Sequence, residues 1–262
     1  MATLIRILAL TLFAQLAIAA DAFDIQPYRE AHGRFKAMLS AGDSGQPKDL
    51  RTPEFTRLVA VMSDEKRFLR ARRFTRDDMP VLMDLSEMAN KNDVSLLFFG
   101  VKSRMDPNWS QEDKVRNLVP MIQRNAIEFQ EELTTLQPFH IHCMELQMPL
   151  LEEFIRALPP DQMTPARRDG LAKMRNGYAQ MLTGMLQNMG DANFSVGYRG
   201  AVTNAIADAS PALVSVLSLA QRAQLLEVVK QSEASTPSDF KAARARIEKA
   251  LKNPACSELC AF

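Results

Sequence analysis

The stretch LQPFHIHCMELQMPLLEEF, residues 136–154, holds two of the chain's three histidines and one of its three cysteines. Its apolar side chains recur every three or four positions, at Phe139, Cys143, Leu146 and Leu150. This spacing is typical of one face of an α-helix. On such a helix Cys143 faces the core with His140 beside it, whereas His142 lies on the polar flank. The stretch therefore predicts a helix that contributes to the core.

The same periodicity extends over most of the chain and favours an all-α fold. Upstream of the stretch, spacings of four and three alternate at Val115, Val119, Ile122, Ala126, Phe129, Leu133 and Leu136, a seam of the kind found in helix bundles. Helix-capping residues divide the remainder into segments, at Thr52, Ser110, Thr164, Ser195, Ser210 and Ser218. We expect a multi-helix bundle of roughly eight to ten helices.

Two further local features carry structural expectations. Asp93 precedes a short apolar run that ends at Gly100, and we expect it to begin a helix there. Glycines recur every seven residues at Gly170, Gly177 and Gly184. Glycine is unfavourable in a helix interior, so this strip predicts a face where a second helix approaches closely.

The N-terminus predicts export. Residues 1–19, MATLIRILALTLFAQLAIA, place one positive charge before a 12-residue apolar stretch and end in a small-x-small motif. This is the pattern of a cleaved secretory signal peptide, and the apolar stretch is too short to span a bilayer. We therefore expect residues 20–262 to form a single all-helical domain in the periplasm or outside the cell, with a possible subdomain junction near 191–194. No later stretch is apolar enough for a transmembrane segment.

The charge balance gives no global reason to bind nucleic acid. The chain has 32 basic and 31 acidic residues, and removal of the signal peptide takes away only Arg6. One local run is basic, and it could bind an anionic partner such as lipid headgroups, a cell-wall polymer or an acidic protein. Acidic residues flank it on both sides, so a solvated, ion-paired surface is the alternative. The run comprises Lys66, Arg67, Arg70, Arg72, Arg73 and Arg76.

Export permits disulfides, and the chain has three cysteines. We expect Cys143 to pair with Cys256 or with Cys260 and so to anchor the C-terminal tail. A bond between Cys256 and Cys260 within one helical turn is less favoured, because their side chains would need an awkward approach.

A metal site is a second interpretation of the histidine-cysteine stretch. Imidazole, thiolate and thioether groups bind copper or zinc, and the candidate ligands are His140, His142, Cys143, Met181, Met185 and Met189. The methionines also have helical spacing, and methionine fills irregular cores well. Core packing is therefore the competing explanation for the methionines, and a disulfide cysteine beside two ordinary histidines is the competing explanation for His140, His142 and Cys143.

Residues 217–221, LSLAQ, followed by Arg222, resemble the Leu-Thr-x-x-Gln motif of small periplasmic stress chaperones, with serine in place of threonine. The resemblance implies an all-helical, chaperone-like stress protein. A glycine-rich phosphate loop, G-x-S-x-G and H-E-x-x-H are missing from the sequence. The sequence therefore predicts a non-enzymatic exported protein that binds a protein, a lipid or an envelope component. A copper- or zinc-binding protein is the first alternative, and a chaperone is the second.

Overall fold

The structure, a computed structural model, describes residues 23–42, 47–232 and 237–262, and the predicted signal peptide lies outside these ranges. The all-α prediction is confirmed, since no strand occurs in the described ranges. The helices are α1 Gln26–Ala41, α2 Pro47–Leu50, α3 Pro53–Met62, α4 Glu65–Phe68, α5 Met79–Leu97, α6 Val101–Arg104, α7 Gln111–Glu128, α8 Gln130–Ala157, α9 Pro165–Gly190, α10 Val196–Ser215, α11 Leu219–Gln231 and α12 Lys241–Leu251.

Side-chain caps set most of the predicted helix starts. A serine or threonine oxygen accepts a hydrogen bond from the backbone N–H three residues on, which satisfies a donor that the first turn leaves free. The capping residues are Thr52, Ser110, Thr164, Ser195 and Ser218. Two predicted starts were wrong, because α5 continues through Asp93 and α10 continues through Ser210 and Pro211.

Helix α8, which contains the histidine-cysteine stretch, lies at the centre of the bundle. It packs mainly against α10 and α5, and it also contacts α3 and α7. The helix runs through Pro138 and Pro149 without ending at either. Buried residues from Ile25 to Leu259 form one contiguous cluster around it, and Phe194 in the segment between α9 and α10 belongs to that cluster.

The predicted seam is split between two helices at Phe129, where α7 ends and α8 begins. Beyond the break, Phe129 and Leu133 are fully buried. Before it, Val115 and Val119 are 57% and 63% exposed. The N-terminal half of α7 therefore extends past the core instead of completing it, and Val119, at the end of that half, lies at one edge of a cleft.

The predicted disulfide partners were wrong. Cys256 is bonded to Cys260, with their Cα atoms 5.6 Å apart, and Cys143 is a buried free thiol. The pair is not within a regular α-helix, because Cys256 precedes a short 3₁₀ turn, Glu258–Ala261, that contains Cys260. The extended backbone at Ser257 allows the approach that a helical turn would hinder.

Other groups anchor the C-terminal tail to the bundle. Both carboxylate oxygens of Glu152 on α8 accept backbone hydrogen bonds, from the N–H groups of Glu258 and Leu259, at 2.8 and 2.9 Å. Arg175 on α9 donates to the carbonyl oxygen of Cys260 at 3.0 Å. The tail is therefore held through its backbone by these two charged side chains, by Arg222, which donates to the carbonyl oxygen of Asn253, and by the hydrogen bond from the N–H of Ser257 to the carbonyl oxygen of Ser215.

None of the helices in the described ranges combines the length and the apolar character that crossing a bilayer demands.

Candidate ligand-binding cavity

A cavity of about 580 Å³ lies between α5, α7, α8 and α9. Its walls are mainly apolar, with side chains from all of these helices and from the segment after α9. The apolar residues are Val94, Leu97, Val119, Ile122, Ala126, Met181, Met185 and Phe194. Val119 of α7 is largely exposed, so the cavity reaches the surface beside this residue.

The glycine strip of α9 forms part of this wall. A Cβ atom placed on Gly170, Gly177 or Gly184 would meet no atom within 4 Å, apart from the helix's own nearby backbone. The predicted close approach of another helix was therefore wrong. Gly184 lines the cavity and Gly177 lines an adjoining recess. The missing side chains leave open space instead of a packed interface.

Asp93 and His140 form a buried pair at the cavity wall. The Oδ2 atom of Asp93 on α5 is 3.0 Å from Nδ1 of His140 on α8. Each residue is only 4% exposed, and both line the cavity. The helical position of His140 beside Cys143 agrees with the sequence analysis. Its carboxylate partner lies 47 positions away in the sequence.

Each member of the pair has an atom without a protein partner. Oδ1 of Asp93 is buried and forms no hydrogen bond with any described residue. His140 forms no hydrogen bond other than that with Asp93 in the described ranges, so its Nε2 atom has none. Burial raises the pKa of the Asp93 carboxyl, and the hydrogen bond and charge of His140 oppose that effect. When Nδ1–H of His140 donates to an ionised Asp93, Nε2 is left as a hydrogen-bond acceptor.

Hydrogen bonds also fix two amide side chains on the wall, one on α8 and one on α9. The hydroxyl of Tyr198 on α10 donates to Oε1 of Gln137 at 2.8 Å and accepts from Nδ2 of Asn188 at 3.1 Å. Burial raises the pKa of Tyr198 to about 12, with smaller effects from these hydrogen bonds and from the charge of Asp93. This chain positions two amide side chains on the wall of the cavity.

The six candidate metal ligands do not lie together. His140, Met181 and Met185 line the cavity, while Cys143 and Met189 are buried in the core away from it. His142 lies on another side of α8, with Nδ1 2.7 Å from Oε1 of Glu65. Residues two apart on a helix point in different directions, which separates the two histidines. In the ranges described, no three histidine, cysteine, aspartate or glutamate residues are arranged to hold a metal ion.

A smaller recess adjoins the cavity and contains a different set of soft ligands. Its volume is about 410 Å³, and it shares Asn90, His140 and Met181 with the cavity. Thioethers line it from three helices, contributed by Met83 of α5, Met144 of α8, and Met174 and Met181 of α9. Only His140 and Met181 of these residues were among the candidate ligands.

The basic run is only partly paired and is mostly not helical. Arg70 and Arg72 form ion pairs with Glu65 and Asp78, and Arg67 lies over the ring of Phe68. Beyond α4 the run continues through a loop and ends in a short 3₁₀ turn, Arg76–Asp78. The remaining cations, Lys66, Arg73 and Arg76, are exposed.

Sequence reasoning missed two residues of the site. Asp93 was assigned to a helix start, and Gly184 was assigned to a helix contact. Local sequence patterns contain no sign of the Asp93–His140 contact, because it joins two helices that are distant in the chain. The glycine spacing did identify the face of α9 on which Gly184 lines the cavity. The spacing alone does not say whether another helix covers that face.

Comparison with protein families, with curated proteins and with solved structures found no match to this chain. No matched protein therefore supports the resemblance of residues 217–221 to the chaperone motif. In the structure these residues form a capping box, in which Ser218 and Gln221 exchange hydrogen bonds at the start of α11.

Proposed function

We propose that the chain is an exported, non-enzymatic binding protein and that a small, largely apolar ligand occupies the cavity between α5, α7, α8 and α9. The observation that carries this proposal is the buried Oδ1 atom of Asp93, which has no partner among the described residues. Ligand sites typically enclose 300–1,000 Å³ and combine apolar walls with a few fixed polar groups. The cavity of about 580 Å³ has both features.

The surroundings of His140 favour binding over nucleophilic catalysis. A nucleophile and its base normally lie within hydrogen-bond reach of each other. In the described part of the chain, no hydroxyl or thiol forms a hydrogen bond with His140. The pair with Asp93 instead offers fixed acceptors to a ligand, held in place by two packed helices.

Residues 1–19 support the exported location, as does the Cys256–Cys260 bond, since disulfides persist in oxidising compartments. N-terminal sequencing of the protein purified from the cell envelope or the medium should begin at Ala20 or Asp21. Recovery of the mature protein with Met1 or Ala2 at its N-terminus would remove the argument for export.

A pair of glycine variants tests the binding site. Gly184→Leu places a side chain in the open space of the cavity, whereas Gly170→Leu places the same side chain on an exposed part of α9 outside it. The probe is N-phenyl-1-naphthylamine, an uncharged fluorophore with one N–H donor that brightens in apolar surroundings. We expect saturable binding by the native protein and by Gly170→Leu.

In Gly184→Leu the affinity for the probe should fall by about tenfold or more, because the leucine takes up space that the probe needs. Circular dichroism checks that both variants remain helical. Equal affinity in the two variants would show that the probe binds elsewhere, and no saturable binding by the native protein would contradict the proposal.

Copper binding is the second candidate function. It is favoured by the recess in which four methionine thioethers and His140 meet, because soft thioether and imidazole ligands suit Cu(I). His140 and Met144 are four residues apart on α8, so they are neighbours on one helix face. Met181 lines the same recess from α9 and would complete a three-ligand set.

Competition with bathocuproine disulfonate under reducing conditions tests this candidate. We expect Met181→Leu to weaken Cu(I) binding by about tenfold. Met189→Leu is the matched control, since Met189 is on the same helix but is buried outside the recess. Because Cys143 is a potential thiolate ligand, the measurements are repeated with Cys143→Ala. Identical Cu(I) affinities of the two methionine variants would eliminate the recess as a copper site.

A further inference from the structure

The charged residues around the cavity have one sign. Two carboxylates line it, those of Asp93 and Asp191, and no lysine or arginine of the described residues does so. Asp191 accepts hydrogen bonds from Asn193 and Gln123, whereas Asp93 keeps one oxygen without a partner. When His140 is neutral, an anionic ligand would therefore meet repulsion without a compensating cation. The wall favours a ligand that is cationic or neutral.

The two atoms of the Asp93–His140 pair that lack hydrogen-bond partners are acceptors. Oδ1 of Asp93 accepts only, unless the carboxyl is protonated, and Nε2 of His140 accepts when Nδ1 carries the proton. A ligand with several N–H or O–H groups would satisfy them, whereas a carbonyl or ether group would not. Because a buried polar group is expensive to leave unpaired, Oδ1 of Asp93 would select strongly for a donor, and Nε2 of His140 would accept a second one.

The apolar part of the wall fits an apolar body, and amide side chains line the cavity beside it. Val94, Leu97, Val119 and Ile122 of α5 and α7 face Met181 and Met185 of α9 across the space that Gly184 leaves open. The acceptors lie on α5 and α8, and the exposed Val119 marks the route to solvent. A ligand would therefore place its donor group inward and its apolar body along α7 and α9.

We propose that the cavity binds an amphipathic amine, whose protonated amino group donates to Asp93 and His140 while its apolar body packs between α7 and α9. This inference rests on the proposed function and specifies its ligand class. A protonated primary amine offers three donors and a positive charge. One ammonium group therefore supplies both the positive charge and the hydrogen-bond donors that the wall favours. Hydrogen bonds between charged partners are stronger than those between neutral partners.

Three ligands that share one eight-carbon chain separate the head-group chemistries. 1-Octylamine carries a protonated amine at pH 7, 1-octanol a neutral donor, and octanoate a carboxylate. Each is used below its aggregation concentration to displace N-phenyl-1-naphthylamine from the full mature protein. We expect octylamine to bind about tenfold or more tightly than octanol, and octanoate to bind least.

Asp93→Asn tests whether Asp93 is responsible for this order. The variant retains the shape and an acceptor for His140, but it removes the charge. We expect the preference for octylamine over octanol to fall to less than about threefold, because the charge that favours the amine is gone. Asp84→Asn is the matched control on the same helix, because Asp84 pairs with Arg29 at the surface and does not line the cavity.

The outcomes separate the two proposals. If the probe shows no saturable binding, or binds Gly184→Leu and Gly170→Leu equally, the proposed function fails. If the probe binds in the cavity but octanol or octanoate displaces it as well as octylamine does, binding stands and the amine inference is overturned. A preference for octylamine that survives in Asp93→Asn also overturns it, since Asp93 would not be the recognising group. The ligand series on the native protein stays decisive even when Asp93→Asn does not fold.

Discussion

At the scale of single residues, the two histidines of the central helix have separate roles because they lie on different sides of it. His142 is 2.7 Å from Glu65, and both side chains are largely buried. The hydrogen bond with His142 lowers the pKa of Glu65. Burial lowers the pKa of His142, but the hydrogen bond and charge of Glu65 and the charge of Glu145 outweigh burial and raise it. Arg70 and Asp208 also border His142.

These shifts predict a pH window for the stability of the pair. The contribution of His142 is fully present below its unfolded pKa of 6.5 and is lost as the pH rises through its raised folded pKa. The contribution of Glu65 is present above its unfolded pKa of 4.5 and is lost as the pH falls through its lowered folded pKa. We expect His142→Gln to lower the free energy of unfolding by about 1–2 kcal/mol between roughly pH 5 and 6, and by less above pH 8.

Urea unfolding of the native protein and His142→Gln across this range measures the difference. Glu145→Gln is a useful comparison, because Glu145 acts on His142 through its charge only, and its effect should be smaller. A difference between native protein and His142→Gln that stays constant from pH 5 to 8 would show that the pair carries no pH-dependent stability.

Cys143 should behave as an inert thiol. It is completely buried, and burial raises its pKa well above the usual value. Because the thiolate is the reactive species, we expect iodoacetamide to leave Cys143 unmodified in the native protein and to label one thiol per chain after unfolding without reductant. Peptide mapping should find Cys256 linked to Cys260. Recovery of a peptide in which Cys143 is linked to either one would restore the original pairing prediction.

Residue-scale patterns predicted these positions only in part. Helical spacing placed Cys143 in the core and put His140 and His142 on different faces, because the period of a helix depends only on neighbouring residues. The partners Asp93 and Glu65 come from other helices, and no local pattern specifies which helices meet. The disulfide prediction failed for a related reason, since it assumed that the tail would reach Cys143.

At the scale of helices, the glycines of α9 give a direct test of the cavity. Because a Cβ atom at Gly177 or Gly184 would meet no neighbouring atom, alanine should improve helix propensity without a clash. We expect Gly177→Ala and Gly184→Ala each to raise the free energy of unfolding by about 0.5–1 kcal/mol. Close packing of another helix on this face would instead make both substitutions destabilising.

Gly200→Ala is the matched control for this prediction. Gly200 is also inside a long helix, α10, but its Cβ atom would lie 2.9 Å from Cε1 of Phe240. The gain in helix propensity there is opposed by the displacement of a buried ring, so we expect no gain in stability. Urea unfolding compares the three variants. A loss of stability in Gly177→Ala and Gly184→Ala would contradict the open face described for α9.

The positions of the helices were predicted better than the contacts between them. Capping residues and apolar spacing depend on the sequence within one or two turns, so Thr52, Thr164 and Ser195 located helix starts correctly. The seam through α7 was misjudged because a periodic apolar face does not reveal whether a partner covers it. Val119, from the exposed part of that seam, lies on the wall of the cavity with Ile122 and Ala126 of the same helix.

At the scale of the whole molecule, the last residues of the chain close the bundle against α8 and α9. Glu152 is buried, and its two oxygens accept the N–H groups of Glu258 and Leu259. Arg175 holds the carbonyl oxygen of Cys260 from the neighbouring helix. The Cys256–Cys260 bond joins two residues within the tail, so it shapes the tail but does not connect it to the bundle.

This arrangement predicts that Glu152, and not the disulfide, anchors the tail. Glu152→Gln replaces one acceptor with an NH₂ group that faces a backbone donor, which should cost about 1–3 kcal/mol and speed hydrogen exchange at the amides of Glu258 and Leu259. The adjacent, exposed Glu153→Gln is the matched control and should leave exchange unchanged. Reduction of the disulfide alone should have a smaller effect than Glu152→Gln, because the contacts of Glu152 and Arg175 remain. Faster exchange after reduction than in Glu152→Gln would show instead that the covalent bond maintains the tail's contact with the bundle.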